Sequence, residues 1–132
     1  MFALLRGEPA QINGDGETSR DFCYIDNAVQ ANLLAATTEN PTAINQNYNI
    51  AVGNRTTLNE LYALIKKGVL ERRPDLRETS CIVKHVDFRP GDVRHSLADT
   101  SKARNLLGYD PKHPIRKGLD LALDWYVIPF TK

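Results

Sequence analysis

The residues of this chain best suited to chemistry lie in Phe88-Arg89-Pro90-Gly91-Asp92-Val93-Arg94-His95-Ser96. An arginine sits beside a Pro-Gly bend, with an aspartate three residues on, so Arg89 and Asp92 are held on one rigid loop. A guanidinium fork can bind two phosphate oxygens at once, and a nearby carboxylate can accept hydrogen bonds from vicinal hydroxyls such as those of a ribose. The pair reads as half of a nucleotide clamp. It also reads as an ordinary solvated charge pair in a turn, because isolated pairs of this kind are common.

Other motifs carry less. Gly14-Asp15-Gly16-Glu17-Thr18-Ser19 imitates the start of a dinucleotide-binding turn. That turn needs a strand before it and a helix after it, so that pyrophosphate meets free helix N–H groups. Here a strand is expected to follow and Ser19 stands where the third glycine belongs, so a plain turn is the better reading. His85, His95 and His113 have neither i, i+4 pairing nor a cysteine or carboxylate cluster beside them, which argues against a metal site.

The elements that must position these groups follow from periodicity. Ala10 to Ile25 is expected to form a hairpin, with the turn at Gly14-Asp15-Gly16 and aromatics two apart in Arg20-Asp21-Phe22-Cys23-Tyr24-Ile25. Asp26 suits the N-cap of a helix whose buried stripe would be Val29, Leu33 and Ala36, ended by Pro41. Tyr48-Asn49-Ile50-Ala51-Val52 reads as a short strand stopped at Gly53. Thr57-x-x-Glu60 is a capping box opening a helix with Leu58, Leu61, Leu64 and Ile65 inward, running to Arg72 before Pro74. Cys81-Ile82-Val83-Lys84-His85-Val86 alternates as another strand, and strand, helix and strand have the length of a parallel crossover. Asp99 can cap a short helix carrying Ala103, Leu106 and Leu107, stopped at Gly108. After Pro111 and Pro114, a last helix turns Ile115, Leu119, Ala122, Leu123 and Tyr126 inward. The fold class is α/β: a small sheet with a hairpin and a crossover, helices packed around it.

The 132 residues, 42% hydrophobic with formal net charge +1, suit one core and a single domain over 1–132. No apolar run approaches the roughly 20 residues of a membrane span, and the opening Met-Phe-Ala-Leu-Leu-Arg is too short for a signal peptide. A cytoplasmic protein with no membrane and no nucleic-acid partner is expected, the latter because no basic cluster is present. Cys23 and Cys81 lack metal spacing and read as small buried hydrophobes. Trp125 and Tyr126 read as core or interface aromatics.

The central stretch resembles the Arg-x-Gly-Asp segment in the C-terminal part of nucleotide-sugar 4-epimerases, members of the extended short-chain dehydrogenase/reductase (NAD-dependent epimerase/dehydratase) family. Gly91 to Asp99 is most similar to bacterial UDP-N-acetylglucosamine 4-epimerases. Arg20-Asp21-Phe22-Cys23-Tyr24-Ile25-Asp26 resembles the family's Arg-Asp-Phe/Tyr strand. The resemblance implies that Arg20 reaches the pyrophosphate, so that Arg20 and Arg89 grip it from two sides. By position it implies that Gln11 and Asn13 face uracil. Ser96 falls where relatives carry either a bulky tyrosine or a small residue near the sugar. A small side chain implies room for an N-acetyl group at C2, hence UDP-GlcNAc or UDP-GalNAc rather than UDP-glucose or UDP-galactose.

The same resemblance implies a C-terminal fragment of an extended Rossmann-type epimerase, present as a truncated or separately encoded chain. The NAD-binding Rossmann domain and the family's catalytic Tyr-x-x-x-Lys pair would then be absent. Tyr62-Ala63-Leu64-Ile65-Lys66 has the spacing of that pair, but no nucleotide-binding half precedes it. No catalytic residue and no cofactor are therefore expected in this chain, although NAD serves the full-length family. Faces uncovered by the missing half imply a homodimer, a domain-swapped assembly, or pairing with a separate NAD-binding half. Two rivals stand: another nucleotide-sugar enzyme of the family, such as a dehydratase or decarboxylase, and a non-catalytic binding or assembly module. Supply of polysaccharide precursors is the role the resemblance implies.

Overall fold

Thr57 and Glu60 close on each other as their spacing predicts. The Glu60 N–H donates to the Thr57 hydroxyl at 3.1 Å, and the Thr57 N–H donates to Glu60 Oε2 at 2.8 Å, satisfying two backbone donors at a helix start. The computed structural model describes residues 1–76 and 81–128. Its elements in chain order are α1 (Phe2–Leu5), β1 (Ala10–Asn13), β2 (Ser19–Arg20), α2 (Ile25–Thr37), β3 (Thr56–Thr57), α3 (Leu58–Arg72), β4 (Val83–Val86), α4 (Ser101–Leu107) and α5 (Ile115–Val127). They fall into two compact units, the first made of Met1–Ser19, Thr56–His95 and Leu119–Lys132, the second of Arg20–Arg55 and Ser96–Gly118.

In the first unit β1 pairs with β4 in parallel, Ala10 opposite Val83 and Asn13 opposite Val86. The expected Ala10–Ile25 hairpin does not form. β2 pairs instead with β3, in a separate two-stranded sheet. Gly14 and Gly16, at φ +73° and +78°, turn the chain without returning it along β1. The expected crossover from Tyr48–Val52 through α3 to β4 does not form: Tyr48–Val52 is not a strand, and the parallel partner of β4 is β1. Leu5, Val69, Leu123 and Val127 form the core of this unit, with Ile65 and Leu119 packed on it. Burying each such side chain stabilises by roughly 1.5–3 kcal/mol. A Cβ on Gly68 would overlap Leu123, so the glycine lets α5 approach α3 closely. Beside this contact Arg72 bonds Asp120 at 2.8 Å and Asp124 at 2.5 Å.

In the second unit the chain from Tyr48 to Val52 is not a strand, because its backbone bonds to side chains. Ala51 O accepts the Tyr109 hydroxyl at 2.9 Å, and the Val52 N–H donates to Asp21 Oδ1 at 3.1 Å. Ala31, Ala103 and Tyr109 make the core, joined by Leu34, Tyr48 and Ile50. Tyr24, not Asp26, occupies the N-cap of α2, and Asp26 sits inside the first turn, where its charge still favours the helix dipole. The expected buried stripe of α2 faces outward, with Val29 47% and Leu33 62% exposed. The cause is Asn27, 1% exposed, whose amide donates to the His113 carbonyl at 2.8 Å and accepts its N–H at 3.1 Å, turning the opposite side of the helix inward. Thr100, not Asp99, occupies the N-cap of α4; Asp99 lies one residue before it, where its Oδ1 accepts the Ser101 N–H at 2.9 Å. α4 ends at Gly108, in the left-handed region.

Candidate functional site

The Arg89 carbonyl accepts the Asp92 N–H at 3.2 Å, and Gly91 has φ +82°. Pro90 and Gly91 thus occupy the corners of a type II turn, where a fixed φ and a positive φ are required in that order. The turn leaves the C-terminal end of β4, and β1 ends at the same level, with the Gly14 N–H bonded to Val86 O at 2.7 Å. Loops at the C-terminal ends of parallel strands are where α/β sheets gather ligand-binding groups. Asn13 lies at that end. Gln11, two residues earlier, shares its face of β1, opposite to buried Ile12.

Both flanks of the turn rest on the Gly14–Asp15 bend. The Phe88 ring fills the space that a Cβ on Gly14 would take. Arg94 Nη2 meets Asp15 Oδ2 at 2.5 Å, and its guanidinium lies 5.0 Å from the centre of the Phe88 ring. The Arg94 side chain, followed by the Glu17 N–H, holds the Asp15 carboxyl below its ordinary 3.8. His85 Nδ1 lies 2.8 Å from Gly14 O, which can only accept, so that nitrogen carries the proton. Past Arg94, a parallel bridge joins Ser19 to His95, with Ser19 Oγ 2.9 Å from His95 Nδ1. Between the flanks, Arg89 and Asp92 are exposed. Among the described residues neither side chain has a hydrogen-bond or ion-pair partner.

The second unit holds Arg20, partly buried, and Ser96, exposed. Next to Arg20, the Asp21 carboxylate accepts the N–H groups of Val52 at 3.1 Å, Gly53 at 3.0 Å and Ala98 at 3.4 Å. It ties the start of this unit to the segment that follows Ser96. No spacing or motif singles out Asp21 in the sequence beyond its place directly after Arg20. Of the six candidates, Gln11, Asn13, Arg89 and Asp92 thus belong to the first unit, Arg20 and Ser96 to the second. A groove of about 320 Å³ in the second unit, floored by Ala28, Ala31 and Ala35, is lined by none of them.

The Gly14–Gly16 bend does not fit a dinucleotide. It leads into β2 rather than a helix, and the space at Gly16 is filled by the Asn59 side chain as that at Gly14 is by Phe88. Both glycines serve packing within the chain. Tyr62 does not fit a proton-abstracting tyrosine: its hydroxyl donates to Cys81 O at 2.7 Å, and burial pushes its pKa up. Cys81 is buried and Cys23 exposed, against the expectation for the latter. Among the described residues no three His, Cys, Asp or Glu side chains gather as metal ligands, and no helix is long and apolar enough to cross a membrane.

The chain belongs to a family of nucleotide-sugar-processing proteins, since the family model described as GDP-mannose 4,6 dehydratase matches residues 3–121. It is 31% identical over 127 residues to a UDP-glucose 4-epimerase of Mycolicibacterium smegmatis, a match covering 94% of this chain and 36% of that protein. A solved UDP-glucose 4-epimerase of Thermotoga maritima, with UDP-glucose, superposes with a TM-score of 0.78 at 37% identity, over 96% of this chain and 37% of that one. A UDP-N-acetylglucosamine 4-epimerase of Methanobrevibacter ruminantium, in complex with UDP-N-acetylmuramic acid, gives 0.80 at 33% identity, over 97% and 37%. The chain therefore has the small α/β fold of about a third of an epimerase and spans only that share of its relatives' length.

Proposed function

We propose that residues 1–132 are the substrate-binding, C-terminal portion of an NAD-dependent UDP-N-acetylglucosamine/UDP-N-acetylgalactosamine 4-epimerase. Arg20 and Arg89 are its diphosphate ligands, Asp92 its ribose ligand, and Gln11 and Asn13 its uracil contacts. The observation that carries this reading is the exposed Arg89-Pro90-Gly91-Asp92 turn at the C-terminal end of the β1–β4 pair, its cationic side chain unengaged among the described residues. Ser96, small and exposed, favours a sugar bearing an N-acetyl group. The chain supplies binding and orientation, while hydride transfer belongs to NAD in the full-length family.

A second reading, a dehydratase of another nucleotide sugar, is favoured by the description of the matching family model. Calorimetric titration with UDP, UDP-GlcNAc and dTDP-glucose separates the two. Heat specific to the UDP ligands, weakened about tenfold or more in Arg20→Ala and in Arg89→Ala, is the expected result, since a charge-assisted hydrogen bond contributes about 1.5–3 kcal/mol. Preference for dTDP-glucose favours the dehydratase, and silence with all three leaves a non-catalytic module. The chain self-associates in this reading, because exposed apolar stripes invite burial.

A further inference from the structure

We propose that Asp15 is a positioning residue for the nucleotide-binding turn, holding Arg89 in place through Arg94 and Phe88. The inference rests on the nucleotide-sugar reading above. Asp15 lies between two glycines of positive φ, in a bend whose backbone is fixed on all sides. The Gly14 N–H bonds Val86 O at 2.7 Å, and the Asn59 N–H bonds Gly16 O at 3.0 Å. The Asn59 amide donates to Asp15 O at 3.1 Å, and the Glu17 N–H donates to Asp15 Oδ1 at 2.9 Å. One carboxylate oxygen thus shapes the bend while the other receives Arg94.

Arg94 and Phe88 are stacked on each other and bracket the exposed residues 89–93. Both land on Gly14–Asp15, so the strap bearing Arg89 and Asp92 has two fixed ends and an exposed middle. Fixing the ends removes conformations in which Arg89 points away from the end of the strand pair, and affinity gained this way comes from ordering before binding. Magnitude separates this role from a purely structural one. The pair is 43% and 47% exposed, and exposed ion pairs contribute little to stability. Its effect therefore belongs in the strap and the ligand, not in the melting temperature.

The test uses the full chain and Asp15→Asn, which keeps an acceptor for the Glu17 N–H but removes the charge. Hydrogen exchange is expected to quicken about tenfold across residues 88–94 with α3 unchanged. Unchanged exchange in 88–94 overturns the proposal whether or not UDP binds. Calorimetry is expected to give roughly fivefold weaker UDP binding in the Asp15→Asn variant, and no further loss when it is added to Arg89→Ala. Equal loss in both backgrounds overturns it, because Asp15 would then act independently of Arg89. Quickened exchange in a chain that takes up no UDP overturns the nucleotide reading and, with it, the assignment of Asp15 to ligand positioning.

Discussion

Asp21 anchors the second unit with three backbone N–H groups on one carboxylate, from Val52, Gly53 and Ala98. An acceptor shared this way is costly to delete, because the donors are left with no partner that the fold can supply. Asp21→Ala is expected to destabilise the chain by about 2 kcal/mol in urea unfolding, and a change under about 0.5 kcal/mol would refute the role. At this scale the turn residues were readable in advance: Pro90 before Gly91 declares a type II turn by its φ requirements alone. The partners of the charged side chains were not. Asp15 and Arg94 are separated by 79 positions, and nothing local pairs one aspartate with one arginine over such a distance.

Among the elements, α3 was legible from Thr57 to Arg72 because a capping box and a 3.6-residue period are local properties. The inward face of α5 was legible for the same reason, with Leu123 buried and Leu119 packed on the same core, although Val127, which completes it, was not in the expected set. β1 was recognisable as a strand, but its partner was not, since Gly14-Asp15-Gly16 has the residues of a tight hairpin while pairing with β4 depends on contacts over 70 positions away. For α2, apolar period chose one face and a buried asparagine chose the other. Its outward stripe of Ile25, Val29 and Leu33 is the best candidate for self-association. Sedimentation velocity at micromolar concentration is expected to give an assembly for the wild type and a smaller species for Leu33→Asp. A wild-type monomer at that concentration contradicts this.

For the molecule as a whole, size and hydrophobic content pointed to a globular chain and the order of strand and helix patterns to an α/β fold, and the fold is a small α/β one matching about a third of the relatives' length. Its division into two units was not legible, because each is assembled from segments distant in sequence. Arg89 belongs to one unit and Arg20 to the other, and the central proposal is that each side chain is a diphosphate ligand. Phosphorus NMR of UDP reports on that claim at the two phosphorus atoms themselves. Titration with the wild-type chain is predicted to shift both resonances, with Arg20→Ala and Arg89→Ala each requiring about tenfold more protein for the same shift. Identical titration curves for wild type and either variant would contradict the account.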